Sequence, residues 1–249
     1  MRTLLAIILL LSLGWQGHAQ QADTGTITPS LKYGKPSDEE LQMTVYAADT
    51  SATAIVLYSK SRARYELIRN EFQLMYNYEV KIKVLKSEGA SYANIEIPYY
   101  STERNSPLKE TINQIDASAY NLEGGKVVRT KMKRDLIFKE RLNKNYEQIK
   151  FSIPAVREGT VFEYQYQLIS DLYYSINPWE AQKNIPVLLT QCDIVIPEYF
   201  QFNLEMRGIH QLNPEDKSCN QTFHIQYQNG ETEMINCVGC RIEGVKTPF

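Results

Sequence analysis

A chain of 249 residues with 27 basic and 29 acidic side chains, 43% hydrophobic and 22% charged, has a globular composition, and its near-neutral balance excludes a nucleic-acid binder built on a basic excess. Seventeen tyrosines against eight phenylalanines are the compositional oddity, since tyrosine suits half-buried strand faces and binding surfaces alike. Three histidines and four cysteines leave little material for a metal or catalytic site.

Arg2, the apolar run from Leu4 to Leu13 and the small-residue site Gly17-His18-Ala19 predict an export signal over residues 1–19, cleaved after Ala19. The run is too short for a membrane span, and no later segment is apolar enough to be one. The mature chain is therefore expected in the periplasm or secreted, with no transmembrane segment. Residues 20–48 are expected to be an extended leader with one short helical turn, capped by Ser37 with Glu40 three residues on.

From residue 49 onward, alternation of period two recurs. Leu74, Tyr76, Tyr78, Val80, Ile82 and Val84 share one strand face, and Asn77, Glu79, Lys81 and Lys83 share the other, predicted wet. On this pattern Val80→Asp should be severe and Lys81→Asp mild. Phe162 to Leu168, Phe200 to Met206 and Phe223 to Tyr227 alternate in the same way. Glu123-Gly124-Gly125-Lys126, Glu158-Gly159 and Asn229-Gly230 are turn signals between such runs. Between Pro107 and Ala119, Ile112 and Ile115 stand three apart, and both a short helix and a strand are open. Many one-sided strands and few helices predict an all-β fold, an antiparallel β-sandwich with few short helical turns, over residues 49–249.

Of the histidines, His210 and His224 follow the signal, and both fall on polar or turn-like positions. Cys237-Val238-Gly239-Cys240 is a C-x-x-C, for which a structural disulfide, free thiols, a zinc site with Cys192 and Cys219, and redox catalysis are all open; an oxidising compartment favours the disulfide. A two-residue type I′ loop at Asn229-Gly230 would set Cys219 opposite Cys240, the candidate disulfide. Tyr99, Tyr100, Tyr173, Tyr174 and Trp179 are candidates to line a groove for peptide or glycan, against the alternative of edge and core packing. No catalytic residue, cofactor site or metal site is predicted, and no phosphate loop is present in the sequence.

Several stretches together resemble the exported bacterial family DUF3857, a domain of unknown function that precedes transglutaminase-like cores. They include Tyr33-Gly34-Lys35-Pro36, the run Asp49 to Tyr58, Lys81 to Leu85, Ala93 to Tyr100, Ala119 to Leu122, Lys150 to Pro154, and Trp179-Glu180-Ala181-Gln182 before Ile185 to Leu188. The resemblance implies an all-β module followed, in longer relatives, by a transglutaminase-like fold with a Cys-His-Asp triad. This sequence stops at Thr247-Pro248-Phe249, so no family catalytic residue carries over and the sandwich is expected to be truncated at its C-terminal end. The expected function is a non-catalytic exported module with a binding or scaffold role, its partners a transglutaminase-like domain, a peptide or a glycan. The alternative is a component of a transglutaminase-like peptidase or hydrolase whose catalytic core is missing or on a separate chain.

Overall fold

The computed structural model describes residues 27–102, 108–203, 205, 207, 213–217, 222–226 and 229–244. The predicted export signal and Cys219 lie outside these residues, as does His210. The described residues form one helix, α1 (Asp38–Gln42), two short 3₁₀ turns and thirteen strands. In chain order these are β1 (Ala54–Ile68), β2 (Glu71–Val84), β3 (Asn94–Tyr100), β4 (Glu110–Glu123), β5 (Lys126–Lys131), β6 (Phe138–Arg141) and β7 (Tyr146–Ser152). They continue with β8 (Val161–Ser170), β9 (Thr190–Pro197), β10 (Asn213–Lys217), β11 (Phe223–Gln226), β12 (Thr232–Ile235) and β13 (Cys237–Gly244).

Eight strands make one sheet in the order β10-β13-β9-β1-β2-β8-β4-β5, antiparallel except where β1 meets β9. Its inner face carries the period-two residues: Leu74, Tyr76, Ile82 and Val84 of β2, Phe162 and Leu168 of β8, and Ala117 and Ala119 of β4. Against them pack Ile97, Ile149 and Phe151 of the three-stranded sheet β3-β7-β6, and Phe223 and Ile235 of the hairpin β11-β12. Phe151 meets Tyr164 edge-on at 6.2 Å between ring centres. The fold is the expected all-β sandwich. β1 opens with six buried residues, Ala54 to Ser59, because both of its faces are covered there.

The structure corrects three local expectations and decides one that the sequence left open. Lys81, Lys83 and Glu163, assigned to wet faces, have no exposed surface, and Lys81 is more buried than Val80. The segment around Ile112 and Ile115 is strand β4 with a bulge between Asn113 and Asp116, where Gln114 takes φ +53°; the inserted residues give the helix-like spacing of three. Phe200 and Phe202 are not in a strand. After Pro197 ends β9, Phe200 stacks on Tyr65 at 4.8 Å and meets Phe72 edge-on, so aromatic packing shapes this loop. In the last hairpin Phe223 pairs with Ile235, one residue off the type I′ register. Gly230 has positive φ, and the Asn229 carboxamide oxygen accepts the Glu231 N–H.

Candidate functional site

The outer face of the large sheet is polar, and its residues stand in cross-strand rows. Tyr120, Val161, Lys83 and Ile55 form one row; Ser118, Glu163, Lys81 and Tyr58 form the next. Asp116, Gln165, Glu79, Lys60 and Gln191 form a third, and Gln167, Asn77, Arg62 and Asp193 a fourth. Antiparallel pairing brings such neighbours within reach of one another. In the fourth row Gln114 Nε2 donates to Gln167 Oε1 at 3.3 Å, and Gln167 Nε2 donates to Asn77 Oδ1 at 3.1 Å.

Residues 27–43 cross the first two rows as a strap. A turn brings the Lys35 N–H to the Lys32 carbonyl, with Gly34 at φ +80° in the position that favours glycine. Ser37 then caps α1 in a reciprocal box with Glu40. Leu41 is buried with Ile55, Leu57, Leu85, Val161 and Leu188, and Ile27 and Met43 pack around them. Burying one such leucine contributes about 2 kcal/mol.

The sheet holds the strap largely by its main chain. Lys81 donates to the Ser30 carbonyl at 2.8 Å, Lys60 to that of Leu31 at 2.8 Å and Lys83 to that of Leu41 at 2.6 Å. Glu163 accepts the Gly34 N–H at 2.5 Å and the Tyr120 hydroxyl at 2.7 Å. Tyr33 donates to the Asp116 carboxylate at 3.1 Å. Glu40 accepts the N–H groups of Ser30 and Ser37, each at 2.7 Å, and faces Lys81 at 3.4 Å.

Burial shifts the titration of these groups. It pushes the Lys83 ammonium down to about 8, against the opposing pull of Glu40. It pushes the Glu163 carboxyl up, while Tyr120 and the Gly34 amide work the other way. Tyr33 and Tyr58 are raised far above the usual phenol range by burial and then by nearby carboxylates. Among the described residues, Tyr58 Oη and Glu163 Oε2 meet no hydrogen-bond partner.

Beyond the strap the face is open, as a groove of about 560 Å³ lined by Lys60, Ser61, Arg62, Arg64, Asn77, Tyr78, Glu79, Gln114, Gln165, Tyr166, Gln167, Gln191 and Asp193. Lys60 belongs to both halves: it bonds Leu31 of the strap and faces Glu79 at 4.0 Å. A second hollow, about 710 Å³, lies beside β3 and β7, where Ile95, Leu136, Phe138, Phe151 and Pro154 give it an apolar wall.

The aromatic candidates fall in different places. Tyr99 is buried and donates to Glu147 at 2.7 Å, while Tyr100 meets Tyr146 edge-on. Tyr173 and Tyr174 are exposed and pack edge-on with each other, and Trp179 is half-buried. Glu110 links the two regions, accepting the Tyr100 N–H at 2.7 Å and the Asn177 carboxamide at 3.0 Å. The sequence reading missed a cluster in which Tyr65, Phe72, Phe200 and Phe223 pack ring against ring. It missed the strap as well.

Cys192 is buried on β9, and Cys237 is disulfide-bonded. The backbone of Cys240 pairs with Asp216 on β10 and Ile194 on β9, while Cys219, its expected partner, lies outside the described residues. Among the described residues no three of His, Cys, Asp or Glu stand together as metal ligands, and no helix is long and apolar enough to cross a membrane.

An all-β chain with a strap-covered polar sheet defines the class structurally. The model of DUF3857, a domain of unknown function with solved structure, matches residues 72–231, and the chain belongs to that family. No curated protein matches it. Among solved structures it is similar to a candidate protease from Parabacteroides distasonis, at 11% identity and TM-score 0.48, over 79% of this chain and 36% of that one. It is also similar to yeast LTA4 hydrolase: in complex with bestatin at 10% identity and TM-score 0.30, covering 78% and 29%, and in native form at 7% and 0.28, covering 77% and 29%. The chain thus spans about a third of the length of these proteins.

Proposed function

We propose that this chain is an exported, non-catalytic module that binds a polypeptide in extended form on the polar face of its large sheet, as a binding or scaffold element beside a transglutaminase-like partner. One observation carries the polypeptide class: Lys60, Lys81, Lys83 and Glu163 end on main-chain groups of residues 30–41. Side chains that grip carbonyls and N–H groups suit an extended chain, which supplies both along its length. The non-catalytic reading is supported by the commitment of Glu40, Glu110, Glu147 and Glu163 to local amide, hydroxyl and ammonium groups. The alternative, a component of a transglutaminase-like peptidase, rests on the sequence resemblance.

Titrating the isotope-labelled chain with unstructured, end-blocked peptides tests the binding role. Shifts should gather at Asn77, Gln165, Gln167 and Gln191, and mass spectrometry should find the peptides uncut. Shifts elsewhere only, or cleavage by the purified chain, would overturn it. For export, N-terminal sequencing of cell-envelope material should begin at Gln20; Met1 retained on cytoplasmic protein would contradict that part.

A further inference from the structure

We infer that the strap is an exchangeable occupant of this face: residues 30–41 close, from within the same chain, a site that takes an extended segment of a partner polypeptide. The inference rests on the polypeptide-binding role proposed above and adds its regulation. Much of the strap's hold is generic, because the carbonyls of Ser30, Leu31 and Leu41 and the N–H of Gly34 are groups that any extended segment supplies; the part specific to the strap is the buried Glu40–Lys81 pair and the Tyr33–Asp116 bond. Its apolar anchoring is thin: Leu41 is buried, but Leu31, in the middle of the crossing, is 46% exposed.

Closure also carries a cost. Tyr58 Oη and Glu163 Oε2 meet no partner beneath the strap, and the Lys83 ammonium is held away from water on two carbonyls, those of Leu41 and Gly159. From Thr44 to Ser51 the connection to β1 is largely exposed, so the strap can leave without disturbing the strands. When it leaves, the rows of Lys83 and Lys81 join the open rows of Lys60 and Arg62 in one continuous face. Partner and strap then compete for the same main-chain receptors, and Lys60 couples the two halves.

Gly34 allows a test that leaves the sheet untouched. A Cβ at this position would come no nearer than 3.9 Å to Tyr120 Oη, so Gly34→Ala taxes only the strap's φ of +80°. An L-residue there should raise the open population roughly 5- to 30-fold. In the full-length variant, the amides of Leu41 and Met43 should exchange faster by that factor, while those of Ile82 and Phe162 keep their protection. A synthetic, end-blocked peptide of residues 27–43 should bind the variant more tightly than the wild type by the same factor.

Tyr33→Phe, which removes the bond to Asp116, serves with the same two readouts if Gly34→Ala accumulates poorly. Strap protection unchanged in both variants overturns the inference. So does loss of protection in strap and β2 together, or a loosened strap with no peptide bound. If the strap peptide fails to bind while peptide-induced shifts at Asn77 and Gln167 persist, exchange is wrong and the open-groove role stands; loss of both removes both.

Discussion

Lys81 Nζ lies 3.4 Å from Glu40 Oε2, and neither side chain has any exposed surface. Further bonds come from the strap: Lys81 donates to the Ser30 carbonyl, and Glu40 accepts two main-chain N–H groups. A buried pair of this kind is weak evidence of net stabilisation, but removing one partner strands the other.

Lys81→Met should therefore cost about 3–5 kcal/mol, because Glu40 loses its cation without gaining water. Lys60→Met is the control. It loses a solvent-exposed bond to the Leu31 carbonyl and a long ion pair with Glu79, at 4.0 Å with side chains 22% and 35% exposed, so the loss should be smaller, about 1 kcal/mol. Urea denaturation of both variants separates the two cases, and equal midpoint shifts would contradict the buried-pair assignment.

Period-two alternation made the strand faces legible: Leu74, Tyr76, Ile82 and Val84 do share the core side. The capping box at Ser37 and Glu40 was equally plain, as was the two-residue turn in which Gly124 and Gly125 both take positive φ between the paired Glu123 and Lys126. Alternation reports which residues share a face, not what covers it. The cover for Lys81 and Lys83 comes from about forty residues upstream, and a lysine beneath a strap has the same sequence pattern as a lysine in water. Tyr99 and Tyr100 could not both line a groove, because strand neighbours point to opposite faces. The left-handed residue of the bulge is Gln114, neither glycine nor asparagine, so the break in period left helix and strand both open.

The β1–β2 turn is improvable. Ile68 pairs with Glu71 across Arg69 at φ +55° and Asn70 at φ +63°, a two-residue turn with both central residues left-handed. Asparagine tolerates that region and arginine does not, so Arg69→Asn should stabilise by about 0.5–1 kcal/mol. Asn70→Ala should destabilise, since the Asn70 carboxamide also bonds the backbone of Gln226 and tethers β11. Thermal melting tests both, and a lower Tm for Arg69→Asn would refute the turn argument.

Glu147 ties the small sheet together. It stands opposite Tyr99 on β3 and Arg141 on β6 in the strand pairings. Its carboxylate accepts from Tyr99 at 2.7 Å and Arg141 at 2.5 Å, and meets Lys139 at 2.6 Å. Burial works to raise its pKa, but Lys139, Tyr99 and Ser101 together hold it down to about 2. An unfolded glutamate titrates near ~4.3, so between these values the unfolded state binds more protons. The stabilisation is complete above about pH 4.3 and is lost as pH falls toward 2. Glu147→Gln should be the less stable protein at neutral pH, with the gap to wild type closing in acid; a gap that does not change with pH would show an ordinary carboxyl.

Lys83 predicts a dependence of the same sign at alkaline pH. Its ammonium donates to the Leu41 and Gly159 carbonyls, each at 2.6 Å, with no exposed surface. Burial lowers its pKa to about 8, with Glu40 opposing the shift. An unfolded lysine holds its proton to near ~10.4, so between pH 8 and that value the unfolded state binds more protons and stability rises with pH. One fully shifted proton gives a slope of about 1.4 kcal/mol per pH unit. The buried tyrosines work against this at higher pH. Tyr33, Tyr58, Tyr65 and Tyr120 are all raised by burial first, so the unfolded chain loses phenolic protons near ~10 that the folded chain keeps. The window is therefore pH 8 to about 9.5, and the quantity to follow is the difference between wild type and Lys83→Met, in which the tyrosine contributions cancel. Denaturant melts across that window should shift the difference steadily in favour of wild type as pH rises. A flat difference would mean that Lys83 titrates as a solvated lysine and that the strap does not seal it from water.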